Sequence, residues 1–371
     1  MVNLWDWHQE GIDRGVYSLF RHNLCAGKAD KVLLLTDTYK ERVGELMFHY
    51  GSPLCGELLH HTYQPTGRHG LEPPESVWRA AFGPEFVQEL KEKELLEKVL
   101  KKELTGDEEA EVKELLLETT APEELPTAVI AVNRYSISHT LFRKLCTDFL
   151  SIRFASMPLF EPFMFSTSLR ANWSEVERRS NAVADLLSRA VGARLVAPNG
   201  TDLTFSLEGR SGIADTGRIC SPGDFGNLPA GEAFVAPVEG SGCGLLVVEY
   251  APDRKLDSPV KLRFEGGKVV EVEGEEPFAD YLRELFSREE GASNLAEFGV
   301  GTNDRAKVKT NILEAEKILG TCHVAVGDNS SFGGRVKANV HIDFLVEEPT
   351  VTLTLEGGEE LTLLEEGKLK V

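Results

Sequence analysis

The chain has 371 residues, of which 42% are hydrophobic and 27% charged. That is enough to bury one large or two ordinary cores, and too mixed for a disordered chain, a disulfide miniprotein or a membrane protein. Acidic residues outnumber basic ones 60 to 40, for a net charge of -20, so the average field repels phosphate backbones and anionic lipid and argues against a nucleic-acid partner.

The start, MVNLWDWHQEGIDRGVYSLF, lacks the basic region and small-residue cleavage site of a signal peptide. No apolar stretch approaches the roughly 18 to 20 residues of a membrane helix. Cysteines 25, 55, 146, 220, 243 and 322 form no CxxC pair and no regular spacing, which predicts reduced thiols in a cytoplasmic protein rather than a disulfide framework or zinc ribbon.

In chain order, Lys31 to Thr36 (KVLLLT) predicts a buried strand, followed by a helix around Tyr39 to Tyr50. Glu85 to Leu104 and Asp107 to Glu118 read as two charged helices broken at Thr105-Gly106, a surface hairpin rather than a coiled-coil arm because the run is under three heptads. Thr127 to Val132 (TAVIAV) repeats the buried-strand pattern, with a helix predicted from Ser138 to Phe149. This alternation argues for an α/β layer with a largely parallel sheet.

A further helix is predicted from Trp173 to about Val191, with Ser174 as its cap. Beyond Gly192 short alternating runs dominate, among them Leu203 to Leu207, Gly244 to Glu249, Val260 to Phe264 and Val351 to Leu355. Helices are predicted there only near Pro277 to Phe286 and Lys307 to Leu319. The expected organisation is an α/β amino-terminal domain over 1–192, with a charged helical insertion near 85–118, and a β-rich (α+β) carboxy-terminal domain over 193–371.

Candidate chemistry concentrates in the second half. In Asn339-Val340-His341-Ile342-Asp343, a strand puts His341 and Asp343 on one face about 7 Å apart, where an imidazole and a carboxylate can reach a common ion. His323 opens an apolar run before a Gly-Asp-Asn turn. Glu297, in NLAEFGVGTN, and Glu232, in LPAGEAFVAP, are single acids among apolar residues, costly to bury without a cation or several donors. Each alone also fits a solvated loop or strand end. Together, two glutamates, two histidines and one aspartate fit a pair of divalent metals bridged by a carboxylate, a centre that activates water and polarises a carbonyl. The chain has no G-x-S-x-G, H-E-x-x-H, Walker A or G-x-G-x-x-G motif. Cys322 and His323, as strand neighbours, point to opposite faces and form no thiolate pair.

At these residues the chain resembles the thermophilic leucyl aminopeptidase (aminopeptidase T) family of metallopeptidases. The resemblance rests on LPAGEAFVAP at 228–237, NLAEFGVGTN at 294–303, HVAVG at 323–327 and HID at 341–343, in order. It extends to SISHTLFRKLC at 136–146 and RFASMP at 153–158, covering about residues 130–371.

The resemblance implies that Glu232, Glu297, His323, His341 and Asp343 hold two divalent ions (zinc, cobalt, magnesium or manganese), with Glu297 bridging. It implies Glu316 as a further acid, ligand or general base, with Glu314 the competitor, and His139 and Arg143 as matched residues read here as structural. Short peptides are the implied substrates, and a homodimer the implied assembly. One departure stands out: where the family carries a tyrosine seven residues after the first histidine, this chain has Ser330, and nearby Phe332 has no hydroxyl. Two alternatives remain open. One is an iron-dependent dioxygenase that opens hydroxylated pyridine rings, a branch resembling the family; the other is a non-catalytic metal-binding protein.

Overall fold

Two uninterrupted apolar runs of the sequence become the middle of a sheet. In the computed structural model, which describes residues 9–371, strands β1 (Lys31–Asp37) and β3 (Ala128–Asn133) are buried along nearly their whole length, as strands covered on both faces must be. With β2 (Glu57–Tyr63), β4 (Arg153–Pro158) and β8 (Phe225–Asn227) they form a parallel sheet in the order β2-β1-β3-β4-β8. The reading of the amino-terminal start falls largely on residues 1–8, outside those described.

Helices α1 (Gln9–Ser18), α2 (Glu41–Gly51), α3 (Glu75–Phe82), α4 (Pro84–Glu92), α5 (Leu96–Lys101), α6 (Gly106–Thr119) and α7 (Leu141–Lys144) belong to the same unit. The charged region breaks at Thr105 as expected, because Thr105 and Glu108 form a reciprocal capping box. The helix expected over 85–104 is instead split into α4 and α5, and the region is a packed layer rather than a surface hairpin. Its apolar side is a core layer: Leu90, Leu96, Val99, Val112 and Leu116 pack with Trp78, Phe82, Leu33, Val129 and Phe154. The charges stay outside in pairs such as Lys93–Glu111.

The expectation of six free thiols is corrected by a disulfide between Cys25 and Cys220, 195 residues apart in sequence. Spacing could not reveal it, because the pair depends on the chain leaving this unit after Arg170 and returning over Gly217–Pro229, where β8 joins the edge of the parallel sheet beside β4. Cys55, Cys146, Cys243 and Cys322 are free.

The second unit comprises Ala171–Thr216 and Ala230–Val371, so the boundary lies at Arg170 rather than near 192. Helix α8 (Trp173–Arg189) moves into this unit because Val183, Ala184 and Leu187 complete its core. Asn172, not Ser174, holds the N-cap position, and Ser174 lies inside the helix.

Two antiparallel sheets make up the rest of this unit. One runs β12-β11-β10-β6-β5-β16-β17-β18 and contains β5 (Ala190–Val196), β6 (Asp202–Ser206), β10 (Cys243–Ala251), β11 (Arg254–Glu265), β12 (Lys268–Glu273), β16 (Thr350–Leu355), β17 (Glu360–Glu365) and β18 (Lys368–Leu369). The other runs β15-β14-β13-β9-β7, from β7 (Ile213–Asp215), β9 (Glu232–Val235), β13 (Leu295–Gly301), β14 (Cys322–Gly327) and β15 (His341–Val346). Leu195, Phe205, Leu246, Leu262 and Leu353 of the first sheet share one core with Val235, Phe298, Val324, Val326 and Phe344 of the second. Helix α9 (Pro277–Arg288) closes that core with Phe278 and Leu282.

The helix expected over Lys307 to Leu319 shrinks to α10 (Ile312–Ala315). Side chains hold the stretch before it as a loop: Asn303 accepts from the amides of Arg305 and Ala306, and Glu314 from those of Lys307 and Val308. Among the described residues, no helix is long and apolar enough to cross a membrane.

Phe298 is fully buried, with its ring 5.1 Å from that of Phe205 on the facing sheet. Phe298→Ala should cost the second unit about 3–5 kcal/mol, read as a lower urea midpoint for its unfolding. A loss below ~1 kcal/mol would show that the two sheets do not depend on this contact.

Candidate metal centre

A strand buried on both faces normally carries apolar residues on each side, yet β13 and β14, which are fully buried, and β9, buried at all but Phe234, carry ionisable groups. Cross-strand register explains how they meet. Glu297 is opposite Ala325, which is opposite Asp343; Gly299 is opposite His323; Gly327 is opposite His341; and Gly301 is opposite Glu232, itself opposite Asp215. Residues paired in this way share a face, so all these side chains rise from the face that turns away from the apolar core. Alanine and glycine at the intervening positions leave room for them.

An irregularity makes this possible on β13. Strict alternation would put Leu295 and Glu297 on one face, but the register shifts between them, and Leu295 joins Phe298 in the core. A bulge thus lets one strand place leucine inside and glutamate on the opposite face.

The side chains form two groups that could hold a metal ion, Glu232–Glu297–His323 and Glu297–His341–Asp343. Glu297 belongs to both. Nε2 of His323 is 3.2 Å from Glu297 Oε1 and 3.3 Å from Glu232 Oε2. Nε2 of His341 is 3.3 Å from Glu297 Oε2 and 3.5 Å from Asp343 Oδ1. Each oxygen of Glu297 therefore faces a different imidazole. His341 donates from Nδ1 to the Asp328 carbonyl at 2.8 Å, which turns Nε2 toward the carboxylates, the outer support common to metal-binding histidines.

Burial by itself would raise Glu297, but the hydrogen bonds from His323 and His341 outweigh it and hold the acid at about 2. Burial would lower His323, and the Glu297 hydrogen bond with the charges of Glu232, Glu297 and Asp343 lifts it to about 9. Burial opposes protonation of His341 too, but Asp343 and Glu297 raise it well above the usual range. Without metal, the imidazoles serve as the missing cations. The donor set fits divalent ions on a further observation: Glu232 Oε2 is buried without a hydrogen-bond partner, a need that a bound cation would meet.

The connection from β13 to β14 brings Glu316 and Lys317 to the same place. Lys317 is fully buried, with Nζ 2.5 Å from Glu232 Oε1, 2.7 Å from Glu316 Oε1 and 4.0 Å from Asp215 Oδ2. Burial, reinforced by Glu232 and Asp343 against the opposing Lys317, raises Glu316 to about 8. Glu314, the competing acid, is committed to the 307–308 backbone and does not share this cluster. His139 and Arg143 lie in the first unit, where Arg143 donates to Ser138 O and to Thr147 and stacks on Phe225.

Ser330 lies in the loop after β14, where its hydroxyl donates to Asp328. Phe332 packs edge-on against His341 and Phe234. The loop is held by Asn329, which donates to Glu239 and accepts from Val336, while Arg210 pairs with Glu239 and donates to the Gly333 carbonyl.

Sequence reading missed Lys317, although a lysine directly after Glu316 and before an apolar pair was the available signal. It also missed the role of Gly299, whose position allows no side chain: a Cβ there would lie 2.0 Å from His323 Nε2.

The sequence model of the family described as thermophilic metalloprotease (M29) matches residues 166–369, more than half of the chain. The chain belongs to that family. Among curated proteins, no relative matches. Among solved structures, 2,5-dihydroxypyridine dioxygenase from Pseudomonas putida KT2440 is similar at a TM-score of 0.68 and 16% identity, with 98% of this chain and 97% of that one covered. Wild-type AmpT from Thermus thermophilus is similar at 0.61 and 18% identity, with 98% and 100% covered. At such identities these likenesses establish the shared fold.

Gly299→Ala should displace the His323 ring and reduce divalent-ion binding at least about tenfold while leaving the fold intact, measured by titration with manganese alongside circular dichroism. Unchanged binding would show that His323 is not needed at this centre.

Proposed function

We propose that the chain is a metal-dependent aminopeptidase that releases amino-terminal residues from short peptides. The observation that carries this reading is Glu297, one carboxylate shared by two candidate metal groups. Family membership supports the coarser part, a metalloprotease. In the proposal, Glu232, Glu297 and His323 hold one divalent ion and Glu297, His341 and Asp343 a second, from among zinc, cobalt, magnesium and manganese. Such ions lower the pKa of water and polarise a carbonyl.

The remaining work falls to residues of the chain. Glu297 directs one oxygen toward each histidine, so it is the residue that would be shared by both ions. Glu316 is the proton carrier, taking a proton from water and passing it to the leaving amine. Burial raises its pKa to about 8, which suits donation of the proton to the leaving amine. Lys317 holds Glu316 in place at 2.7 Å. Ser330 occupies the position at which the resembling family has tyrosine, and its hydroxyl must exchange Asp328 for a substrate oxygen to take that part.

The test combines elemental analysis with chelator and add-back assays on leucine p-nitroanilide and short peptides. About two metals per chain and chelator-sensitive release of the first residue are expected. Glu297→Gln and His341→Ala should remove both metal and activity, whereas Glu316→Gln should keep the metal and lower kcat by roughly 100- to 10,000-fold. One iron per chain without peptide hydrolysis would favour the ring-opening dioxygenase instead. Stoichiometric metal with no turnover on either substrate class would leave a binding protein.

A further inference from the structure

Lys317 is a charged side chain with no exposure at all, set among Asp215, Glu232 and Glu316. Among these named residues it is the one cation that does not depend on protonating a histidine. A lysine is seldom fully buried, because removing its ammonium from water is repaid only by close, well-directed carboxylates. Here those partners are a proposed ligand and the proposed proton carrier.

The contacts divide the oxygens of Glu232. Oε1 accepts from Lys317 at 2.5 Å, whereas Oε2 faces His323 and has no hydrogen-bond partner. One oxygen is thus occupied by a resident cation, and the other is left available. We propose that Lys317 is a positioning residue that restricts Glu232 to a one-oxygen ligand and, as a built-in positive charge, weakens divalent-ion binding at the Glu232–Glu297–His323 group. The inference rests on the metal-binding reading above. It makes the two groups unequal, because the oxygens of Glu297 pair with His323 and His341, and Asp343 Oδ1 with His341, rather than with Lys317. The ion at the Glu232 group is then the more weakly held and more readily exchanged of the two.

Lys317 also ties this ligand to Glu316 through a single ammonium, 2.5 Å from one and 2.7 Å from the other. Movement of Glu232 toward an ion therefore alters the charge felt by Glu316. A lysine that only filled space would show no such link to metal.

The experiment measures divalent-ion affinity of the full chain by competition with a chromophoric chelator, using manganese, for wild type, Lys317→Gln and Lys317→Arg. Lys317→Gln keeps a donor for Glu232 but removes the charge, and it should tighten binding of the weaker ion by about tenfold or more. Lys317→Arg keeps the charge and should show no such tightening. Thermal unfolding supplies a second readout: metal-free Lys317→Gln should melt about 5–10 °C lower than wild type and recover most of that difference when manganese is added. If Lys317→Gln is unfolded without metal, recovery on adding manganese supports the proposal, and continued unfolding overturns it. Unchanged or weaker affinity in Lys317→Gln would overturn the role of Lys317 while leaving the metal reading intact. Failure of wild type to bind divalent ions at all would overturn both.

Discussion

The need to keep several carboxylates out of water on one face of a sheet governs the second unit. Asp215, Glu232, Glu297, Glu316 and Asp343 converge there, and an isolated buried carboxylate is costly enough that it normally takes up a proton instead. In the metal-free protein the charge is met by Lys317 and by two imidazoles pushed toward their cationic forms. The protonated histidines are replaceable, since each offers Nε2 to a carboxylate that a metal ion could also occupy. Lys317 is not replaceable in the same way, because it is anchored to Glu232 and Glu316 through its own chain.

The sheet that carries these groups can do so because its two faces are unlike. One contributes Val235, Phe298, Val324, Val326 and Phe344 to a core shared with the larger sheet, and that apolar contact supplies the stability that the polar face consumes. The polar face depends on small residues and on one irregular step. Gly299 accommodates the His323 ring, Ala325 separates Glu297 from Asp343, and the bulge before Glu297 exchanges the facing of the strand. The Asp328 carbonyl then fixes the orientation of His341. The geometry of this candidate metal centre is therefore set largely by backbone register and by the absence of side chains.

The fold alone does not choose between chemistries. A dioxygenase and AmpT share it over nearly their whole lengths, as expected when one scaffold hosts more than one reaction. The donor set discriminates better. A single-iron site has no evident use for Glu232 and Glu297 together, whereas a carboxylate lying between two histidine-containing groups suits a pair of ions. Replacement of the tyrosine of the resembling family by Ser330 alters the margin of this site without touching any of its proposed ligands.

Sequence by itself determined the parts that depend on local pattern. Buried parallel strands follow from KVLLLT and TAVIAV, the break at Thr105-Gly106 from its turn residues, and the same-face placement of His341 and Asp343 from the period of a strand. The ordered motifs around Glu232, Glu297, His323 and His341 were enough to point to the family and its metal chemistry. Tertiary structure decided whatever required residues distant in sequence to meet. It set the division at Arg170 and the return of 217–229, and with them the Cys25–Cys220 disulfide. It shortened the expected helix to Ile312–Ala315, turned Glu314 to the backbone amides of Lys307 and Val308, and placed Lys317 between Glu232 and Glu316. A lysine in a sequence reads as solvated by default, and only the surrounding carboxylates make its burial energetically acceptable.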